Sequence, residues 1–216
     1  MSKQYRIDLR SKSDAQIAEA VIVSEVQAIT KTRLEKPGHS PGDRFHYQIP
    51  AWMRFRTLDI LEHIHPAWFV VSDKGGILIP DELKARKIRL SKGIYRMGIG
   101  GLHSSESRQV MTEDAEHRLM DFDVVSYYPA ILLNQGLYPK HVGPSFLTVY
   151  KSLVERRLAA KAAGHKAISE SLKITINGTF GKLSNKWSAL YSPDLFVQIV
   201  ITGQLALLML IEALDD

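Results

Sequence analysis

Apolar and polar positions alternate at different periods along the chain, and the periods predict its elements. Residues 13–30, SDAQIAEAVIVSEVQAIT, begin with an Asp in capping range and space Ile17, Ala20, Val21, Ser24 and Ala28 as one helix face. Val21-Ile22-Val23 is equally compatible with the start of a strand. The segment 36–42, KPGHSPG, breaks the chain, and residues 45–49 alternate weakly up to Pro50. Tyr47 and Trp52 read as packing aromatics. Residues 57–65 predict a short helix stopped by Pro66, and residues 68–71 and 77–79 predict two strands around the Asp73-Lys74-Gly75-Gly76 turn. His63 and His65 lie two apart on that helix and point to different faces, which argues against a shared metal.

Further on, residues 84–92 form the densest basic run, with Lys84, Arg86, Lys87, Arg89 and Lys92, and Ile88 and Leu90 flank Arg89 as on a strand with one wet face. Two readings stand side by side: a solvated sheet edge protected by lysines, or a strip that follows phosphates. Gly98, Gly100 and Gly101 are too closely spaced for strand interior and mark a bend or a close backbone approach. The polar stretch 104–116 leads into residues 121–138, DFDVVSYYPAILLNQGLY, where Phe122 to Val125 read as a short strand and Pro129 opens a helix. Asp123 then sits where strand gives way to turn, either as a helix-capping or solvent-facing acid or as a metal ligand. Residues 146–163 and 166–177 predict two helices joined at Gly164-His165, an antiparallel hairpin with strongly basic polar faces. Leu147, Tyr150, Leu153, Val154 and Leu158 form the apolar set of the first helix, and Ile168, Leu172 and Ile176 that of the second. Lys173 and Asn177 share a face just ahead of Gly178, the kind of placement that offers a triphosphate a cation and a close backbone. An exposed lysine before a glycine-terminated helix has the same pattern.

Composition narrows the chemistry. The 216 residues, 45% of them hydrophobic, supply a real core, and the absence of cysteine excludes disulfides and thiolate-held metals. Any metal is therefore held by oxygen or imidazole. The net charge of +5 favours a polyanionic partner without locating a patch. The first fourteen residues lack the apolar core of a secretory signal. Residues 195–214 approach spanning length but carry Gln198, Thr202, Gln204 and Glu212, which predicts a buried core helix, no membrane partner and a cytoplasmic protein.

Two separated motifs, in order, resemble those of family B DNA polymerases, most closely the short bacteriophage-type members. Asp123-Val124-Val125-Ser126-Tyr127-Tyr128-Pro129 is similar to motif A, Asp-x-x-Ser-Leu-Tyr-Pro. Residues 173–181, KITINGTFG, are similar to motif B, Lys-x-x-x-Asn-Ser-x-Tyr-Gly. The Gly100-Gly101 element resembles the glycine-rich segment that contacts template DNA in that family. The likeness extends over residues 90–216 and is only general before that. Tyr127, Gly178 and Phe180 depart from the family's leucine, serine and tyrosine, and the Tyr127 hydroxyl is expected to face water.

The resemblance implies a mixed α/β fold: a partial right-hand polymerase palm with an antiparallel sheet carrying Asp123, plus a helical fingers hairpin. Its divisions would be a connecting region at 1–93, a first palm segment at 94–145, the fingers at 146–181 and a second palm segment at 182–216. It implies template-directed deoxynucleotide addition by two-metal phosphoryl transfer. Asp123, with the Val124 carbonyl, would hold two magnesium ions, manganese being a possible substitute. Ser126 and Tyr127 would lie around the triphosphate, and Tyr128 under the sugar. Lys173, Arg157 and Lys161 would contact phosphates, Arg156 being the alternative to Arg157, with Asn177 and Gly178 beside the nucleotide. Primer-template DNA would meet Gly100 and Gly101, and the strip of Lys84, Arg86, Lys87 and Arg89 is the candidate for further contacts. If phage-encoded, the protein would act in the cytoplasm of an infected bacterium. The family's motif C and thumb are not found, Asp215-Asp216 lacking a strand to hold them, so the isolated chain is expected to be inactive without a further palm and thumb region or a partner chain. A non-catalytic DNA-binding module and a structural fragment are the rival expectations.

Overall fold

The computed structural model describes residues 11–38, 41–56, 60–90, 93–105, 107–108 and 110–214. Lys92 of the basic run and Asp215-Asp216 lie outside them. Among the described residues are seven helices and two three-stranded antiparallel sheets, a mixed α/β arrangement.

The longest helix, α7 (Pro193–Leu214), is the axis of packing. Its Leu195 and Ile199 belong to a helical core, and its Val197, Ile201, Leu205 and Leu208 belong to a second core under the sheets. A helix covered on two sides must be apolar nearly all round, which explains its resemblance to a membrane span. Its polar residues each tie down an upstream loop. Gln198 exchanges two hydrogen bonds with the Gln48 backbone, and Thr202 bonds the Tyr47 hydroxyl at 2.8 Å. Gln204 brackets Gly98, accepting from its N–H at 3.0 Å and donating to its carbonyl at 2.7 Å; Glu212 accepts from the Arg56 N–H at 2.8 Å. Buried amides and carboxylates persist in such a core because they are paired.

One side of α7 carries the helices. Helix α1 (Asp14–Thr30) starts at a capping box between Ser13 and Gln16 and settles the helix-or-strand ambiguity at Val21. Its buried face is Ala18, Val21, Ile22 and Val26, rotated from the expected set. It packs on α6 (Lys166–Leu183), which forms the basic hairpin with α5 (Ser145–Ala162). The hairpin forms as expected, with two corrections. Tyr150, Leu153, Leu172 and Ile176 are buried as expected, whereas Leu158 and Ile168 are about half exposed and Val149 and Thr175 take buried places beside that stripe. Further, α6 does not end at Gly178 but runs through it: a Cβ there would lie 2.9 Å from the Ala18 Cβ, so glycine permits the close approach of α1. Ion pairs tie α1 to both arms of the hairpin, Glu19 to Lys182 of α6 at 2.8 Å and Glu25 to Arg156 of α5 at 2.9 Å.

The other side carries the sheets. Strands β1 (Arg44–His46), β2 (Trp68–Val71) and β3 (Ile77–Leu78) form one, with α2 (Ile60–Ile64) between the first two. After α3 (Asp81–Ala85), strands β4 (Ile88–Leu90), β5 (Gly93–Met97) and β6 (Leu102–Ser104) form the other, and the division drawn at 93/94 falls inside its β4–β5 hairpin. Gly98 to Gly101 make the β5–β6 turn, with Gly101 at φ 150. Tyr47 is core, as expected, whereas Trp52 is half exposed.

The strand expected at 122–125 does not form. Residues 118–124 are irregular, and Phe122 and Val125 stand 82% and 79% exposed. A strand needs a neighbour to satisfy its N–H and C=O groups, and both sheets among the described residues are built from positions 44–104. Asp123 is therefore carried by an exposed coil rather than a sheet.

Candidate functional site

Helix α4 (Tyr127–Asn134) begins at Ser126, whose φ of 53 is a left-handed conformation that turns the chain sharply from the Asp123 coil into the helix. Tyr127 and Tyr128 occupy its first turn, two residues earlier than Pro129 suggested. The Tyr127 hydroxyl donates to the carbonyl of Gly203 on α7, a correction to the expected water-facing hydroxyl. Burial pushes its pKa up to about 12. Gly203 makes this approach possible, since a Cβ on it would lie 3.2 Å from the Tyr127 ring. Tyr128 stacks on Phe180 of α6 at 4.4 Å between centroids, and Phe180 on Phe196 of α7 at 5.0 Å.

The start of α4 faces the basic hairpin across a cavity of about 570 Å³. Asp123, Ser126, Tyr127 and Tyr128 line one wall, and Arg157, Lys161, Lys173 and Asn177 the other, with Phe180 between them. Arg157 donates to the Ser126 hydroxyl at 3.3 Å, and its buried Nε has no hydrogen-bond partner among the described residues. A buried donor in this state asks for an acceptor. Lys173 is half exposed, 4.0 Å from Glu170, so its charge is largely available to the cavity. Three cations, one carboxylate and the N-terminal end of a helix make a site that favours an anion.

Among the expected residues, Asp123, Ser126, Tyr127, Tyr128, Arg157, Lys161, Lys173 and Asn177 come together here. Val124 and Gly178 do not line the cavity, and Gly178 faces α1. Arg156, an alternative to Arg157 in the sequence, turns to Glu25. Lys84, Arg86, Lys87, Arg89, Gly100 and Gly101 lie on or beside the second sheet, away from this wall. Phe180 and Gly203 are supporting residues that the site assignment lacked. The signal for Gly203 was present: an isolated glycine in a helix has a cost and implies a packing reason.

No group of three or more His, Asp or Glu side chains able to hold a metal occurs among the described residues. Asp123 and the Ser126 hydroxyl are the hard oxygen donors of the cavity side chains nearest α4. That set is too sparse for a cage of protein ligands and would suit a hard divalent ion only if water or a bound ligand supplied further oxygens. No protein-family model matches this chain, and neither a curated protein nor a solved structure does.

Proposed function

We propose that this chain contributes the nucleotide-binding part of a DNA-directed DNA polymerase site, acting on deoxynucleoside triphosphates and primer-template DNA. The observation that supports this reading is the convergence of two distant segments, 123–128 and 157–180, on one cavity of matching charge. These are the segments that resemble motifs A and B. The palm-and-fingers arrangement belongs to the same proposal.

In this reading Arg157, Lys161 and Lys173 neutralise the triphosphate, and the unpartnered Arg157 Nε donates to one of its oxygens. Tyr128, held flat by Phe180, supports the sugar. Magnesium, bound through Asp123 and the substrate phosphates, would lower the charge opposing nucleophilic attack. Asp123 on an exposed coil needs a further acidic element beside it for two-metal chemistry, so this chain alone binds nucleotide without incorporating it.

Titration with a matched or mismatched deoxynucleotide in the presence of primer-template and magnesium tests the proposal. Tightening of DNA binding by the matched nucleotide only, lost in Lys173→Ala, is the expected result. A uniform weakening of DNA binding in that variant, indifferent to nucleotide, would instead indicate a non-catalytic DNA-binding module. Magnesium-dependent primer extension by the chain alone would overturn the expected inactivity.

A further inference from the structure

A second groove lies between the two sheets, about 680 Å³ in volume and independent of the Asp123 cavity. Its apolar lining includes Val70, Ile77, Ile79 and Ile99, with Trp68 among the walls. Trp68 is 48% exposed, and the ring of His46 lies against it at 3.6 Å between centroids. His46 is itself fixed by a 3.0 Å hydrogen-bond contact between Nδ1 and the Ala67 carbonyl. The indole is therefore held in place while half of it remains open.

Lys84 and Arg96 also line the groove, with one acid, Asp81, on the same short helix as Lys84. Strand register extends the charge. Arg96 is the cross-strand partner of His103, and Arg89 that of Ile94, two residues before Arg96, so Arg89, Arg96 and His103 share the outer face of the second sheet. All three are exposed, and Lys87 flanks them. An aromatic platform at the end of a cationic strip is complementary to a chain carrying a negative charge and a flat base at every step. It is less suited to an acidic peptide, which has no ring to stack.

We propose that this groove and strip bind single-stranded DNA, one base stacking on Trp68 while Arg96, Lys84 and Arg89 follow the phosphates. The inference rests on the proposed polymerase reading and extends it by assigning a path for an unpaired strand outside the nucleotide cavity.

The test uses the full chain with Trp68 as its single tryptophan, Trp52 and Trp187 replaced by Phe, titrated with an oligo(dT) of roughly twelve nucleotides. Saturable quenching of Trp68 emission that weakens with salt is expected. In the otherwise unaltered chain, Trp68→Leu and Arg96→Ala should each lower affinity by roughly fivefold or more, measured by anisotropy of the labelled oligonucleotide. DNA binding with no quenching and no effect of either variant would overturn the inference and leave the polymerase reading standing. Equal quenching by poly-glutamate would overturn it in favour of an acidic protein segment. Loss of both oligonucleotide and deoxynucleotide binding, the latter titrated in parallel, would remove the polymerase reading as well.

Discussion

Gly178 sits in the motif that suggests nucleotide chemistry, yet its position assigns it to packing, and the two roles predict different energetics. A Cβ at 178 would meet the Ala18 Cβ at 2.9 Å, the Ala15 Cα at 3.3 Å and the Asp14 carbonyl oxygen at 3.5 Å. None of these atoms is the end of a flexible side chain, so α1 must move as a body. Gly178→Ala gains about 0.8–1 kcal/mol of helix propensity. Against this stands an overpacking cost of about 1–3 kcal/mol. The expected net effect is a destabilisation of about 0–2 kcal/mol. Ala18→Gly loses both propensity and a buried methyl, about 2 kcal/mol together. Combined, the two substitutions exchange the methyl across the interface and should lie close to the parent, a coupling of about 2–4 kcal/mol. Urea unfolding of the four proteins, compared at constant m-value, measures it. Additive single effects, or stabilisation by Gly178→Ala equal to its full propensity gain, would refute the packing argument. If nucleotide affinity also fell in Gly178→Ala, the position would belong to the cavity after all.

Other substitutions test the ties that α7 makes. Gln204→Leu removes both side-chain bonds to Gly98, whose N–H and carbonyl then keep only their 3.1 and 3.4 Å bonds with Gly101, and should cost about 1–2 kcal/mol, with faster hydrogen exchange in the β5–β6 turn. Glu19→Gln strands the buried Lys182 ammonium and should cost about 3–5 kcal/mol in urea unfolding. Tyr127→Phe removes the bond to the Gly203 carbonyl, about 1 kcal/mol. For Tyr127 the pKa is raised on folding, so its contribution is complete below the unfolded value near 10 and is lost as pH rises towards about 12. Urea midpoints measured across that window should fall, and less steeply in Tyr127→Phe.

Much of the helical half was legible because each helix carries its own period and its own stops. The hairpin turn at Gly164-His165 is a local signal and occurs where expected, and the last helix begins at Pro193, two residues ahead of the apolar run read at 195–214. The strand at 122–125 failed for the opposite reason: alternation and β-branching describe a residue's fitness for a sheet, whereas strand formation depends on a partner elsewhere. The buried face of α1 and the place of Leu158 on α5 were misjudged because periodicity fixes the spacing of a stripe but not its exact rotation towards a neighbour. At the site, residue type and order brought out the cations and Asp123. Arg156 and Arg157 could be separated only once Glu25 was seen to face the first of them.

The four polar residues of α7 show how a single helix can organise both halves of the molecule. Gly203 accepts the Tyr127 hydroxyl at the mouth of the cavity, and the next residue, Gln204, brackets Gly98 at the glycine turn of the second sheet. Consecutive residues on an α-helix are fixed relative to one another by its backbone hydrogen bonds. Hence the start of α4 and the β5–β6 turn are held at a set separation, although the described residues between 105 and 126 form no helix or strand. A disturbance of Gln204 should then reach the cavity through α7 rather than along the chain. If Gln204→Leu altered the alkaline titration of Tyr127 as well as the turn, that route would be demonstrated. An unchanged Tyr127 alongside a loosened turn would mean that the two ties act independently and that α7 is a scaffold without coupling.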